Sequence, residues 1–198
     1  MKGNNRTFRS NLRFARTKWG HLLPLAVKAL KDMVESYGFS ALLGELLYLE
    51  GGWYVTHSGL LGLAKRTHCA GIQVEPVPEF SDALAGRYVF KAIVFKTYQS
   101  RGFVGYGDAD PSNVSSLVRG AEMRIAETRA VNRALRKAYG IGLCSVEELG
   151  WSHNCSSASQ SNQKAPASNG NNGHHSGHPR LRDRLCLLIA NIGSTPLW

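Results

Sequence analysis

The chain has 198 residues, with 24 Lys plus Arg against 14 Asp plus Glu, a formal charge of +10 and 43% apolar residues. That allows one ordinary domain with a real core plus some unfolded sequence, and a charge this high points to a polyanionic partner. No apolar run approaches the roughly 20 residues of a membrane span, no secretory signal opens the chain, and Cys69, Cys144, Cys155 and Cys186 form no CxxC pair, so a zinc cluster and a disulfide framework are not expected and a reducing cytoplasmic, nucleoid-associated setting is.

Residues 1–21 carry Lys2, Arg6, Arg9, Arg13, Arg16 and Lys18 and no acid. They read as a basic N-terminal arm for nucleic acid, with an organellar targeting segment as the alternative. Residues 22–150 read as the folded domain. Leu25, Ala26, Ala29, Leu30, Met33 and Val34 have helical spacing over Leu22 to Tyr37, with Gly38 placed to end the helix. Leu46 to Thr56 pairs two apolar runs around Gly51-Gly52 and predicts a tight hairpin. His57 to His68 is helical through Leu60, Leu61, Leu63 and Ala64.

Three strand segments follow. Gly71 to Phe80 is interrupted by Pro76 and Pro78 and suits an edge strand. Arg87 to Tyr98 is apolar in both alternate sets and is expected to be covered on both faces. After a turn at Ser100-Arg101-Gly102 comes Phe103 to Gly107, whose glycines permit close backbone approach or a turn. Asp110, Pro111, Ser112 and Asn113 supply capping chemistry for a long helix from Ser115 to Gly140, and Ser145 to Glu148 forms a capping box. Residues 151–179, rich in Ser, Asn, Gly, Gln and His, read as a disordered linker. Residues 180–198 regain a helical pattern too short to fold alone and read as the truncated beginning of a second module; the linker and this tail imply a second domain or a partner such as a recombinase or single-strand-binding protein.

The long helix is the main functional signal. At 100° per residue Arg129, Arg133, Arg136 and Lys137 fall within roughly a 100° arc, opposite Val131, Ala134, Leu135 and Ala138. No acid follows Glu127 inside the helix, so the row is expected to present fixed positive charge to a phosphodiester backbone; the competing reading is a solvated face. Lys91, Lys96 and Arg101 extend a positive groove across the sheet. Arg124 lies toward the apolar flank, where it pairs with Glu127, meets a neighbouring subunit or lines a groove. Tyr98, Phe103 and Tyr106 are expected mostly in the core, with base stacking as the alternative.

No phosphate-binding GxxxxGK[ST] loop, HExxH or GxSxG occurs, so no cofactor, metal or catalytic role is expected. Asp108, Asp110 and Glu122 offer an alternative reading as the metal-binding acids of a nuclease, against which Asp110 reads as a helix cap and Glu122 as an ion-pair partner on its own helix. His174, His175 and His178 in a Gly/Ser/Asn tract make no convincing metal site.

Taken in order, YVTHSGLLGLAKRTHCAGIQVEPV, YVFKAIVFKTYQSRGFVGYG and a helix ending in NRALRKAYG resemble the Rad fifty-two family of single-strand annealing recombination proteins, over residues 53–140. The resemblance implies an α+β fold with a β-β-β-α core, a homo-oligomeric ring or spiral, and single-stranded DNA in a positive groove. The family's inner-groove basic positions match Asn132, Arg133 and Arg136, and another on the same helix matches Arg124. A DNA-contacting basic residue of the family's first helix is matched here by Gly59, so the outer site depends on Lys65, Arg66 or the basic N-terminal segment. The expectation is ATP-independent single-stranded DNA binding and annealing, with a metal-dependent nuclease or an RNA-binding regulatory module as alternatives.

Overall fold

The computed structural model describes residues 2–115 and 118–149, with side chains from residue 5 onward. The expected linker and C-terminal element lie outside the described residues. Among the described residues the fold is mixed α+β, with four helices and two small antiparallel sheets in the order α1 (Lys2–Trp19), α2 (Pro24–Tyr37), β1 (Leu46–Leu49), β2 (Gly52–Val55), α3 (His57–Arg66), β3 (Gly71–Pro76), β4 (Tyr88–Phe95), β5 (Phe103–Ala109) and α4 (Glu122–Tyr139).

Residues 2–21, part of the segment expected as an arm, are built into the fold. Phe8, Leu12 and Trp19 of α1 pack on the core and Ala15 is fully buried there. Asn11, also buried, accepts hydrogen bonds from the Ser40 hydroxyl and the Leu42 amide, both at 3.0 Å. Trp19 meets Trp53 edge-on with ring centres 5.6 Å apart, and the Trp53 indole donates to the Ala26 carbonyl of α2 at 2.8 Å. Helix α2 ends as expected at Gly38, whose φ of 67° is the left-handed conformation that suits glycine.

The hairpin joins β1 to β2 with Leu49 opposite Gly52, so its two-residue turn is Glu50-Gly51, one residue earlier than expected. Both turn residues have positive φ, 49° and 85°, which matches the right-handed strand twist. Helix α3 starts at a Thr56 cap that accepts the Gly59 amide at 3.1 Å.

The second sheet has the order β3-β4-β5, which makes β3 an edge strand, as suits Pro76 at its end. Helix α4 crosses one face of this sheet on Ala126, Ala130, Ala134 and Ala138, all buried. Opposite them lie Gly105 and Gly107, where an added Cβ would overlap the α4 backbone, so these glycines serve close approach. The expectation that β4 is covered on both faces is corrected: Ala92 and Val94 are buried beneath α4, while Lys91, Ile93 and Phe95 on the other face are only half-buried.

Helix α4 is also shorter than expected. Asp110 does not cap it; its carboxylate accepts the Ser112 and Asn113 amides at 2.7 and 3.1 Å and closes a local turn after β5. The helix begins at Glu122, preceded by Ala121 with no side-chain cap. After α4, Gly140 takes the left-handed conformation, and the expected capping box of Ser145 and Glu148 closes a short 3-10 turn, Val146–Glu148.

Candidate nucleic-acid interface

The cations of α4 do not form an open row. Arg129 is 4% exposed. Its guanidinium donates to the carbonyls of Glu147 at 2.8 Å, Asp108 at 2.7 Å and Asn113 at 3.0 Å, and to the Asn113 side chain at 2.9 Å. Burial lowers its pKa, with partial compensation from Asp108, yet a guanidinium stays charged under any ordinary condition. Arg129 is therefore removed from the set of DNA contacts. It binds β5, the turn after it and the 146–148 segment to the helix.

Arg133 and Arg136 share one carboxylate. Glu148, whose side chain is 5% exposed, lies 3.4 Å from Arg133 Nε and 2.7 Å from Arg136 Nη1. Arg133 also reaches Asp108 at 3.3 Å. The acids that neutralise the row thus come from segments outside the helix, which a view of α4 alone misses. Charge remains all the same. Arg136, Arg133 and Lys137 line an open concavity of about 330 Å³ with Gly140, Ile141 and Gly142, and Arg136 Nε is a buried donor without a partner among the described residues.

Three α4 side chains also close the free edge of β5. Lys137 Nζ donates to the Val104 carbonyl, Arg133 Nη1 to that of Tyr106 and Arg129 Nη1 to that of Asp108, each at 2.7 Å. Four helical residues advance about 6 Å and two strand residues about 6.8 Å, so the two rows stay in step over this length.

The other expected cations are dispersed. Lys91 pairs with Glu75 at 2.6 Å on the sheet face away from α4, and that hydrogen bond is the main cause of its raised pKa. Lys96 stands 5.2 Å from the Tyr139 ring centre, and Arg101 is exposed. Arg124 is exposed and makes no pair with Glu127; it lies about 18 Å up the helix from Arg136. Asn132 is fully buried, its side-chain oxygen 2.6 Å from His57 Nδ1 and its amide donating to Ser145 and Glu147, so that position cannot face a groove. Gly59 is buried too. A Cβ there would stand 2.6 Å from the Glu45 carbonyl, which leaves no room for the side chain that the resemblance places in an outer site. Arg66 is held by Glu45 at 2.6 Å, while Lys65 is exposed. Tyr98, Phe103 and Tyr106, expected mainly in the core, are exposed.

The acids of the nuclease alternative are likewise spread. Asp108 faces Arg133, Asp110 closes its turn, and Glu122 accepts the Gly120 amide at 2.9 Å. Among the described residues no three His, Cys, Asp or Glu side chains gather as a metal site.

Among the described residues the least neutralised cationic surface is α1. Arg6, Arg9, Arg13 and Arg16 are exposed, and among the described residues their side chains make no hydrogen bond or ion pair. At 100° per residue they fall within about an 80° arc. The composition of this segment had marked it as basic, but only its helical state makes the arginines one stripe. The signal was present in Phe8, Leu12, Ala15 and Trp19, whose spacing gathers one apolar face within about 60°, centred about 110° from that stripe.

No family model, curated protein or solved structure matches the chain. No helix among the described residues is long and apolar enough to cross a membrane.

Proposed function

We propose that the protein binds single-stranded DNA and promotes annealing of complementary strands without nucleotide hydrolysis. The observation that carries this reading is the unpaired stripe of Arg6, Arg9, Arg13 and Arg16 on α1. Four guanidinium groups at one-turn intervals, with no acid within their helix, match a flexible polyanion better than a compact ligand.

Annealing, as distinct from simple binding, is supported by the second cationic feature, the concavity of Arg133, Arg136 and Lys137. One strand lies along each surface. Phosphate neutralisation releases counterions and lowers the repulsion between strands, so their bases test register. Contacts of this kind carry no base information, and sequence preference is slight. The exposed Tyr98, Phe103 and Tyr106 supply ring faces on which any base stacks. The α1 stripe takes the place of the outer-site residue that Gly59 lacks. The resemblance in segment order and the sheet followed by a packed helix favour this function over RNA-specific regulation.

The test is annealing of labelled complementary oligonucleotides with ATP and divalent metal omitted. Acceleration over the spontaneous rate is expected. Metal-dependent cleavage, or selective binding of RNA over DNA of equal length, would instead favour the rival readings.

A further inference from the structure

The two edges of the three-stranded sheet are unequal. Strand β5 turns the backbone groups of Val104, Tyr106 and Asp108 away from β4, where Lys137, Arg133 and Arg129 cap the carbonyls. Strand β3 is bonded to β4 through the alternate set that includes Val77, whose amide reaches the Val89 carbonyl at 2.8 Å, so Ile72, Val74 and Pro76 face outward. No described side chain hydrogen-bonds to the outward groups of Ile72 or Val74. Each chain thus has one capped edge and one open edge.

The caps also differ in permanence. Arg129 is buried and Arg133 half-buried, while Lys137 is exposed. Only the last two can exchange their carbonyls for other acceptors without opening the core. The open edge has a matching defect, because Pro76 has no N–H to offer.

We infer that β3 of one copy adds in parallel to β5 of a second copy, displacing Lys137 and Arg133 from the β5 carbonyls. The Ile72 amide then donates to Val104 and the Val74 amide to Tyr106. At the third step, proline without a donor meets the Asp108 carbonyl that Arg129 retains. Three positions on each edge agree in this one register. Charge selects the same partner: residues 71–86 carry Glu79 and Asp82, besides the Glu75 that Lys91 holds, and no Lys or Arg, whereas Arg101, Arg133 and Lys137 outnumber Asp108 along β5. Such a contact is head-to-tail and generates a closed ring or an open filament. It requires no nucleic acid, so it stands or falls separately from the annealing reading.

Sedimentation velocity on the full chain tests it with two prolines, each removing one outward N–H and leaving the bonds to β4 intact. Val74→Pro disables the β3 edge and Tyr106→Pro the β5 edge. Wild type is expected to assemble with concentration, each variant alone to remain a monomer, and their equimolar mixture to form dimers and nothing larger. In a third arm that leaves the sheet untouched, Glu79→Lys is expected to raise the assembly midpoint roughly fivefold. A wild-type chain that stays monomeric, proline variants that assemble like wild type, or a mixture of folded variants without dimers overturns the inference. Should a proline variant unfold, an unchanged midpoint in Glu79→Lys does so.

Discussion

Arg129 donates to the Asp108 carbonyl at 2.7 Å from a position 4% exposed to solvent, so the first member of the apparent cationic row belongs to the interior. Its guanidinium satisfies three carbonyls and one side chain at once. Replacing it by Met leaves those acceptors buried without donors. Arg129→Met is therefore expected to lose about 3 kcal/mol in urea unfolding, whereas Arg124→Met, at an exposed unpaired position, changes stability by less than about 0.5 kcal/mol. Equal midpoints for the two variants would contradict the assigned role.

Gly107 sets how closely α4 approaches the sheet. An added Cβ overlaps the backbone of Ala126 and Ala130, and neither can move without displacing the helix. Gly107→Ala is expected to cost about 3 kcal/mol. Gly142→Ala, with open space around its Cβ position and an ordinary φ, serves as the control and stays near wild type.

These two positions mark what the sequence hid and what it made legible. The FVGYG glycines signalled close approach or a turn because a strand facing a helix has few other uses for them; Gly38, the β1–β2 hairpin and the β3 edge followed from local turn, cap and proline chemistry, and α3 from its apolar periodicity. The start of α4 was misread because Asp-Pro-Ser-Asn serves a turn as well as it serves a helix cap. Burial of Arg129 and Asn132 was hidden for a different reason: their partners lie on β5, α3 and the 145–148 segment, and a helical projection contains none of them. The α1 stripe was legible as charge but not as geometry.

Acid pH gives a further test. The Ser112 hydroxyl, followed by the Ser112 and Asn113 amides, holds the Asp110 carboxyl below its ordinary range. A depressed acid contributes stability above its unfolded-state value, and that contribution disappears as pH falls through the folded value. The loss belongs below about pH 4. Glu122 is lowered in the same direction, chiefly by the Gly120 amide. Asp110→Asn is expected to show a shallower fall in melting temperature between neutral and acid pH than wild type. An identical profile would show that this turn does not couple to folding.

The α4 concavity gives a functional test. Arg136→Ala with Lys137→Ala is expected to slow strand annealing several-fold, with a smaller effect on binding of one strand, because α1 still holds it. Equal losses in both assays would place both strands on one surface.

The most direct measurement is the salt dependence of binding to a labelled oligothymidylate, followed by fluorescence anisotropy, for wild type and for the Arg9→Ala, Arg13→Ala double variant. Each phosphate neutralised contributes about 0.7 to the slope of log affinity against log salt for a single strand, so the expected result is a slope shallower by about 1.4 with unchanged circular dichroism. A wild-type chain that fails to bind at low salt, or a double variant with the wild-type slope, would contradict the account.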